Sequence, residues 1–271
     1  MIGIFNPFVK LLSRKRNFVL SRWAILSSLT QLVILKRIGS ARKSVNINLG
    51  KFQIHGNNYG LLSFLIKEKF VDEEYYFNTK TISPIIIDCG ANIGVSALYF
   101  KCLYPNAIIH CFEPHPVAFQ LLQQNITQNK LRDVFLYEKA LSDVEGNLNL
   151  HFSTSNELIN SSIVVNNESG GQTLVESTRL SKFLENFERV DLIKIDVEGA
   201  ETEIISDLVK NNVLFSGKIK EFIIEYHYNK QKDPAAFNQF IDAFRKNGYT
   251  VSSKILYPEQ EESDLIVTAV I

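Results

Sequence analysis

The sequence predicts an α/β fold in which parallel strands alternate with crossover helices, and three observations lead there. After Pro84, short apolar runs rich in Ile and Val take turns with longer segments of helical spacing. The first of these runs, Ile85 to Cys89, leads directly into two glycines, Gly90 and Gly94, and then into a new apolar period. The chain has 271 residues, 45% of them hydrophobic, which is enough to bury one large core and carry an extension. Strands alternating with helices in this way imply a parallel sheet, since each return to the same edge needs a crossover.

In chain order, residues 1–80 read as a basic N-terminal helical extension and residues 81–271 as the main domain. No Asp or Glu precedes Glu68, whereas eleven Lys and Arg do, so a net charge of zero conceals a basic start and an acidic remainder. Asn17 to Ile38 is apolar and patterned, but Arg22 interrupts it and leaves less than the ~20 residues a spanning helix needs. Basic residues flank it in Ser13 to Arg16 and in Lys36 to Lys43. Such a helix suits an anionic lipid surface or a nucleic-acid backbone, and it equally suits packing on the main domain or a partner chain with solvated basic ends. Lys51 to Phe77 is mixed, with Gly56 to Gly60 reading as a loop before a helical pattern.

The main domain then reads as strand Ile85 to Cys89, helix Ile93 to Leu103, a strand from Ala107, helix Pro116 to Gln128, and a strand from Val134. Ser153 to Gln172 is rich in Ser, Asn and Gly and is long enough for a mobile substrate loop. The alternation resumes through Leu192 to Val197 and Glu221 to Tyr228, a helix Pro234 to Gly248, and two closing strands near Tyr249 and at Leu265 to Val270. Cys89, Cys102 and Cys111 form no CxxC pair, which argues against a disulfide framework or a zinc site and fits a reducing, cytoplasmic setting.

Ligands of open parallel sheets bind beyond the carboxyl ends of the strands, which directs attention to Asp88 through Gly94. A dinucleotide would favour GxGxxG, but this turn reads Gly90-Ala-Asn-Ile-Gly94 and lacks the middle glycine. Asp88 would repel a diphosphate and tolerate an ammonium or sulfonium. Glu113 closes the next strand, at the separation where an acid grips ribose hydroxyls. Together these features indicate an adenosine ligand without a diphosphate, for which S-adenosylmethionine is the candidate.

Four motifs, Ile85 to Phe100, Phe112 to Pro116, Lys139 to Asp143 and above all Leu192 to Glu201 (LIKIDVEGAE), in this order, resemble the FkbM-type family of S-adenosylmethionine-dependent methyltransferases. The resemblance spans roughly Ile85 to Tyr249. It implies a Rossmann-like class I methyltransferase fold, a seven-stranded, mostly parallel sheet with helices on both faces, and methylation of a hydroxyl on a saccharide or another small metabolite. It also implies that Asp88, Gly90, Asn92 and Gly94 line the methionine part of the donor and that Glu113 holds the ribose. Ala140, Leu141 and Ser142 would meet the adenine, with Ser142 or Asp143 reaching its exocyclic amine.

Methyl transfer from a sulfonium is an in-line displacement, so the protein's work is alignment and removal of the acceptor's proton. Strand alternation places Lys194 and Asp196 on one face, as a site or as a structural ion pair. Glu198 follows as a candidate base, or as the cap of a helix starting at Gly199 or Ala200. Glu225 and His227 share a face of the next strand, and an imidazole at that strand's end suits proton acceptance. His55, His110, His115 and His151 show no metal-ligand spacing, and no metal is expected. Two other readings stay open: a nucleic-acid methyltransferase, which the acidic main domain disfavours, and a noncatalytic donor-binding or membrane-associated protein. A nicotinamide oxidoreductase is disfavoured by the missing glycine.

Overall fold

The computed structural model describes residues 20–38, 44–152, 161–162, 171–229, 234–256 and 262–271. Helix α1 (Arg22–Ile38) precedes a hairpin of β1 (Val45–Leu49) and β2 (Phe52–Gly56), in which every second residue is buried because one face lies on the core. Ser28 ties the helix to the hairpin, its hydroxyl lying 2.6 Å from the Asn48 carbonyl oxygen and 2.8 Å from that of Ala24. Asn58 caps α2 (Tyr59–Ile66) by accepting the N–H groups of Gly60 and Leu61. The helix continues into a π-helical turn, Lys67–Asp72, that leads to the fully buried Tyr75. No helix among the described residues is long and apolar enough to cross a membrane.

The predicted alternation follows as β3 (Ile85–Cys89), α3 (Val95–Leu103), β4 (Ile108–Phe112), α4 (Pro116–Gln128) and β5 (Val134–Tyr137). Pro116 occupies the first turn of α4, where its missing N–H costs nothing. Next come β6 (Ala140–Ser142), β7 (Gly146–Phe152), β8 (Ser161–Ser162), β9 (Gly171–Arg179) and the short α5 (Leu180–Leu184). The chain ends with β10 (Leu192–Ile195), α6 (Glu201–Lys210), β11 (Glu221–Asn229), α7 (Pro234–Lys246), β12 (Thr250–Ile255) and β13 (Glu262–Val270).

Seven strands make the central sheet in the order β12-β13-β11-β10-β3-β4-β5. All neighbours are parallel except β13, which runs antiparallel to both β11 and β12. Residue alternation splits the core in two. Ile86, Ile109, Leu192 and Ile223 pack with α1, the hairpin, α2, α3 and α4, whereas Ile87, Phe112, Ile193 and Ile224 pack with α5, α6 and α7. The strand order reverses at β3, between β10 and β4, and this is the crevice where ligands bind in such sheets.

The hairpin is held to the sheet by α4. Asn125 and Asn129, one helical turn apart, each accept and donate one hydrogen bond to β2, at His55 and Gln53 respectively, over 2.7–2.9 Å. The sequence did not anticipate the second sheet, ordered β6-β9-β7-β8. Gly171 and Gln172, read as the end of a polar loop, begin β9, where Gln172 pairs with His151. The rest of that expected loop lies outside the described residues apart from Ser161–Ser162, which pair with the end of β7.

Candidate active site

The glycine turn after β3 needs its glycines for two reasons. Gly90 and Gly94 have φ of 80° and 89°, in the left-handed region, and Asn92 joins them at 49°. A Cβ on Gly90 would also lie 1.8 Å from the Asp196 carbonyl oxygen, so the turn is pressed against the end of β10. The N–H groups of Gly90 and Ala91 both donate to the Phe112 carbonyl at 2.9 Å.

Glu113 sits immediately behind this turn. Its two carboxylate oxygens accept the N–H groups of Asn92 at 2.8 Å and His115 at 2.9 Å. Burial nevertheless pushes its pKa up to about 7, against the pull of those two donors and of Lys194. A buried carboxylate left that short of donors is suited to accept two more hydroxyls, and the residues therefore fit the ribose of an adenosine ligand.

Asp88 is fully buried beneath the turn. Ser96 donates to its Oδ2 at 2.6 Å, and Lys194 Nζ lies 3.2 Å from Oδ1. Parallel register places Lys194 directly beside Asp88. The ammonium also donates to the Gly90 carbonyl at 2.7 Å and lies 3.4 Å from Asp196 Oδ2. Burial works against this cation, but Asp88 and Asp196 outweigh it and hold its pKa above the ordinary lysine range. Lys194 thus links the acid under the turn, the turn's backbone and the acid at the end of β10.

Asp196 receives a second donor that no local pattern announces. Tyr75, from the segment after the π-helical turn, places its hydroxyl 2.7 Å from Asp196 Oδ2 and 3.1 Å from Glu225 Oε2. Lys69 lies 3.8 Å from the Tyr75 ring centroid and 2.9 Å from Glu68. Burial disfavours ionised Asp196, yet Lys194, Lys69, His227 and the tyrosine hydroxyl overcome it and hold the pKa at about 2. Glu225 goes the other way: burial and the charge of Asp196 push it up to about 7. No spacing rule marks Tyr75, because Asp196 and Glu225 lie 121 and 150 residues further along the chain.

His227 joins the cluster across β11. Its Nδ1 is 2.8 Å from Glu201 Oε1, and its Nε2 is 3.2 Å from Glu198 Oε2 and 4.0 Å from Asp264 Oδ1. Burial would lower the imidazole pKa, but Glu201, Glu198 and Asp196 hold it well above the ordinary value. Burial raises Glu198 to about 8, against the pull of His227. Glu198 has a left-handed φ of 57°, and Glu201 accepts the Gly199 N–H at 3.0 Å at the start of α6. Asp196, Glu225 and His227 bring their side-chain donor atoms within 4.8 Å of one another, and Lys194, Tyr75 and Glu198 engage them.

Ala140, Leu141 and Ser142 form the buried strand β6. Ser142 lies 3.4 Å from Asp143, whose carboxylate is 3.8 Å from Lys210. The residues expected to touch the donor come from β3 and the turn after it, the residue that follows β4, and β6 with the residue that follows it.

A mostly parallel seven-stranded sheet with one reversed strand, a glycine turn after β3 and an acid closing β4 define a class I methyltransferase. Its methyl donor is S-adenosylmethionine. Residues 88–251 match the methyltransferase FkbM domain, and the chain belongs to that family. It is 33% identical over 189 residues to methyltransferase sdnD of Sordaria araneosa, covering 56% of this chain and 73% of that one. It is 32% identical over 139 residues to 2-O-methyltransferase NoeI of Sinorhizobium fredii, covering 45% and 56% respectively. A solved transferase structure from Pyrococcus horikoshii shares the fold at a TM-score of 0.50 and 13% identity, over 91% of this chain and 84% of that one.

Proposed function

We propose that this methyltransferase alkylates a hydroxyl of a small acceptor, a saccharide or glycan precursor. The observation that carries the reading is the placement of ionised Asp196 and the Glu198–His227 pair at adjacent strand ends, with Asp196 backed directly onto the glycine turn. The name of the NoeI relative, a 2-O-methyltransferase, supports oxygen as the nucleophile.

S-adenosylmethionine supplies, when bound, a methyl group on a positively charged sulfur. Gly90, Asn92 and Gly94 would shape the turn around its methionine part, with Asp88 acting from beneath through Lys194. Glu113 would hold the ribose, and Ala140, Leu141, Ser142 and Asp143 would face the adenine. Asp196 is too acidic to keep a proton, so its role is to accept the acceptor's O–H and aim the oxygen. Lys194 and Tyr75 keep that carboxylate ionised and in place. The Glu198–His227 pair holds or releases a proton close to neutral pH, and Glu198 is its proton-accepting member.

The abundance of carboxylates here disfavours a polyanionic acceptor such as RNA. Peripheral contact with a membrane through the basic N-terminus belongs to the same reading. A labelled-methyl assay on saccharide and RNA pools tests the acceptor class. Incorporation into saccharide supports the proposal, and incorporation into RNA alone overturns it. Turnover unchanged in both Asp196→Asn and His227→Ala, with donor binding intact, would remove the catalytic assignment.

A further inference from the structure

Helix α1 has two faces of different kinds. Ile25, Ser28 and Leu32 are buried against the rest of the protein, but Trp23, Ser27, Thr30 and Ile34 form an exposed stripe spaced as one helical face. Trp23 is 76% exposed and Ile34 49%. No charged residue occurs from Trp23 to Leu35, so this solvent-facing side lacks the Lys and Glu that ordinarily cover an exposed helix. Beside it runs an open groove of about 710 Å³, lined by Trp23, Leu26, Gln31, Ile34, Leu35 and Asn48.

In sequence, basic residues bracket the uncharged stretch: Arg14, Lys15 and Arg16 before it, and Lys36, Arg37, Arg42 and Lys43 after it. With no acid before Glu68, nothing local in the sequence neutralises them. We infer that the outer face of α1 is a docking surface for an anionic membrane, with Trp23 and Ile34 entering the headgroup boundary and the flanking cations resting on acidic lipid headgroups. Tryptophan favours that boundary because its ring is apolar and its N–H is polar. The uncharged Ser27, Thr30 and Gln31 leave it at little cost. A second copy of the chain would bring the same positive flanks against themselves. A nucleic-acid backbone would find no cation on the stripe itself. This inference deepens the peripheral-membrane part of the proposed function and does not depend on the acceptor.

The test uses the single tryptophan of the chain, Trp23, as its own reporter. The full-length protein is titrated, without donor or acceptor, with phosphatidylcholine vesicles and with vesicles that also contain phosphatidylglycerol. A blue shift of the emission, quenching by brominated lipid, and co-sedimentation at least about tenfold stronger on the anionic vesicles, weakening with salt, support the surface. The double substitution Trp23→Ser/Ile34→Ser, at exposed positions, is expected to reduce co-sedimentation about tenfold while leaving thermal unfolding unchanged. Equal binding to both vesicle types overturns the inference, as does no binding. A blue shift that grows with protein concentration in the absence of lipid also overturns it, in favour of a second copy, and a shift with RNA but not with vesicles does so in favour of nucleic acid. Because methyl transfer is not read, any of these outcomes leaves the catalytic reading to its own assay.

Discussion

The Tyr75 hydroxyl donates to Asp196 across 2.7 Å, so a residue that precedes the first strand of the central sheet completes the end of its fourth parallel strand in sequence, β10. Tyr75→Phe keeps the ring and removes only the donor. A hydrogen bond to a charged group contributes about 1.5–3 kcal/mol, so kcat is expected to fall roughly 10- to 100-fold while donor affinity stays put. The pH–rate profile should move as well, since Asp196 loses one of the groups holding its pKa at about 2. A loss confined to donor affinity, measured by calorimetry, would contradict this.

Gly90→Ala and Gly146→Ala separate crowding from backbone strain. Both glycines have positive φ, but a Cβ at Gly90 collides with the Asp196 carbonyl, whereas at Gly146 nothing lies within 4 Å. Strain alone costs about 1–2 kcal/mol, and crowding adds about 1–3 kcal/mol. Urea denaturation should therefore rank Gly90→Ala well below Gly146→Ala.

Lys194→Met leaves Asp88 and Asp196 without their shared cation. Breaking such a pair costs about 3–5 kcal/mol when one charge stays buried. Adding Asp88→Asn removes that stranded charge while Ser96 keeps a partner, so the double variant is expected to be more stable than the single one in the same denaturation measurement.

With Glu113 holding the ribose, as proposed, donor binding is expected to be sensitive to pH. Its ionised form is the better acceptor for ribose hydroxyls, and its pKa in the folded protein is about 7, so affinity should rise as pH increases through 7 and approach a plateau above it. Glu113→Gln should flatten that profile. Folding stability runs the opposite way. The raised pKa means that the folded state binds the proton more tightly, so this contribution is complete below the ordinary value of 4.5 and is lost as pH rises towards 7. Calorimetric affinities and denaturation midpoints across that range check both signs.

Much of this architecture could be read from local pattern. Ile85–Cys89 and Pro116–Gln128 appear where the apolar runs predict them, because burial of a strand or of a helix face is written into neighbouring residues. Helix α3 starts at Val95 rather than Ile93, since Gly94 in the left-handed region forms its cap. Alternation also brought Lys194 and Asp196 to one face and Glu225 and His227 to another point of the same cluster. The second sheet was hidden because β7 and β9 are separated by a polar stretch with no strand period. Tyr75 was hidden because only tertiary folding brings Asp196 and Glu225 to its hydroxyl, and the raised pKa of His227 comes from Asp196, Glu198 and Glu201, which lie in one motif but meet β11 only through the fold.

The asparagine pair on α4 has a consequence for how the protein behaves among its own copies. By occupying the backbone groups of Gln53 and His55, the two amide side chains close the outer border of β2, which would otherwise be a template for a visiting strand. The small hairpin is thereby kept from recruiting neighbours at high concentration, and side-chain amides do the blocking that a further strand or a proline performs elsewhere.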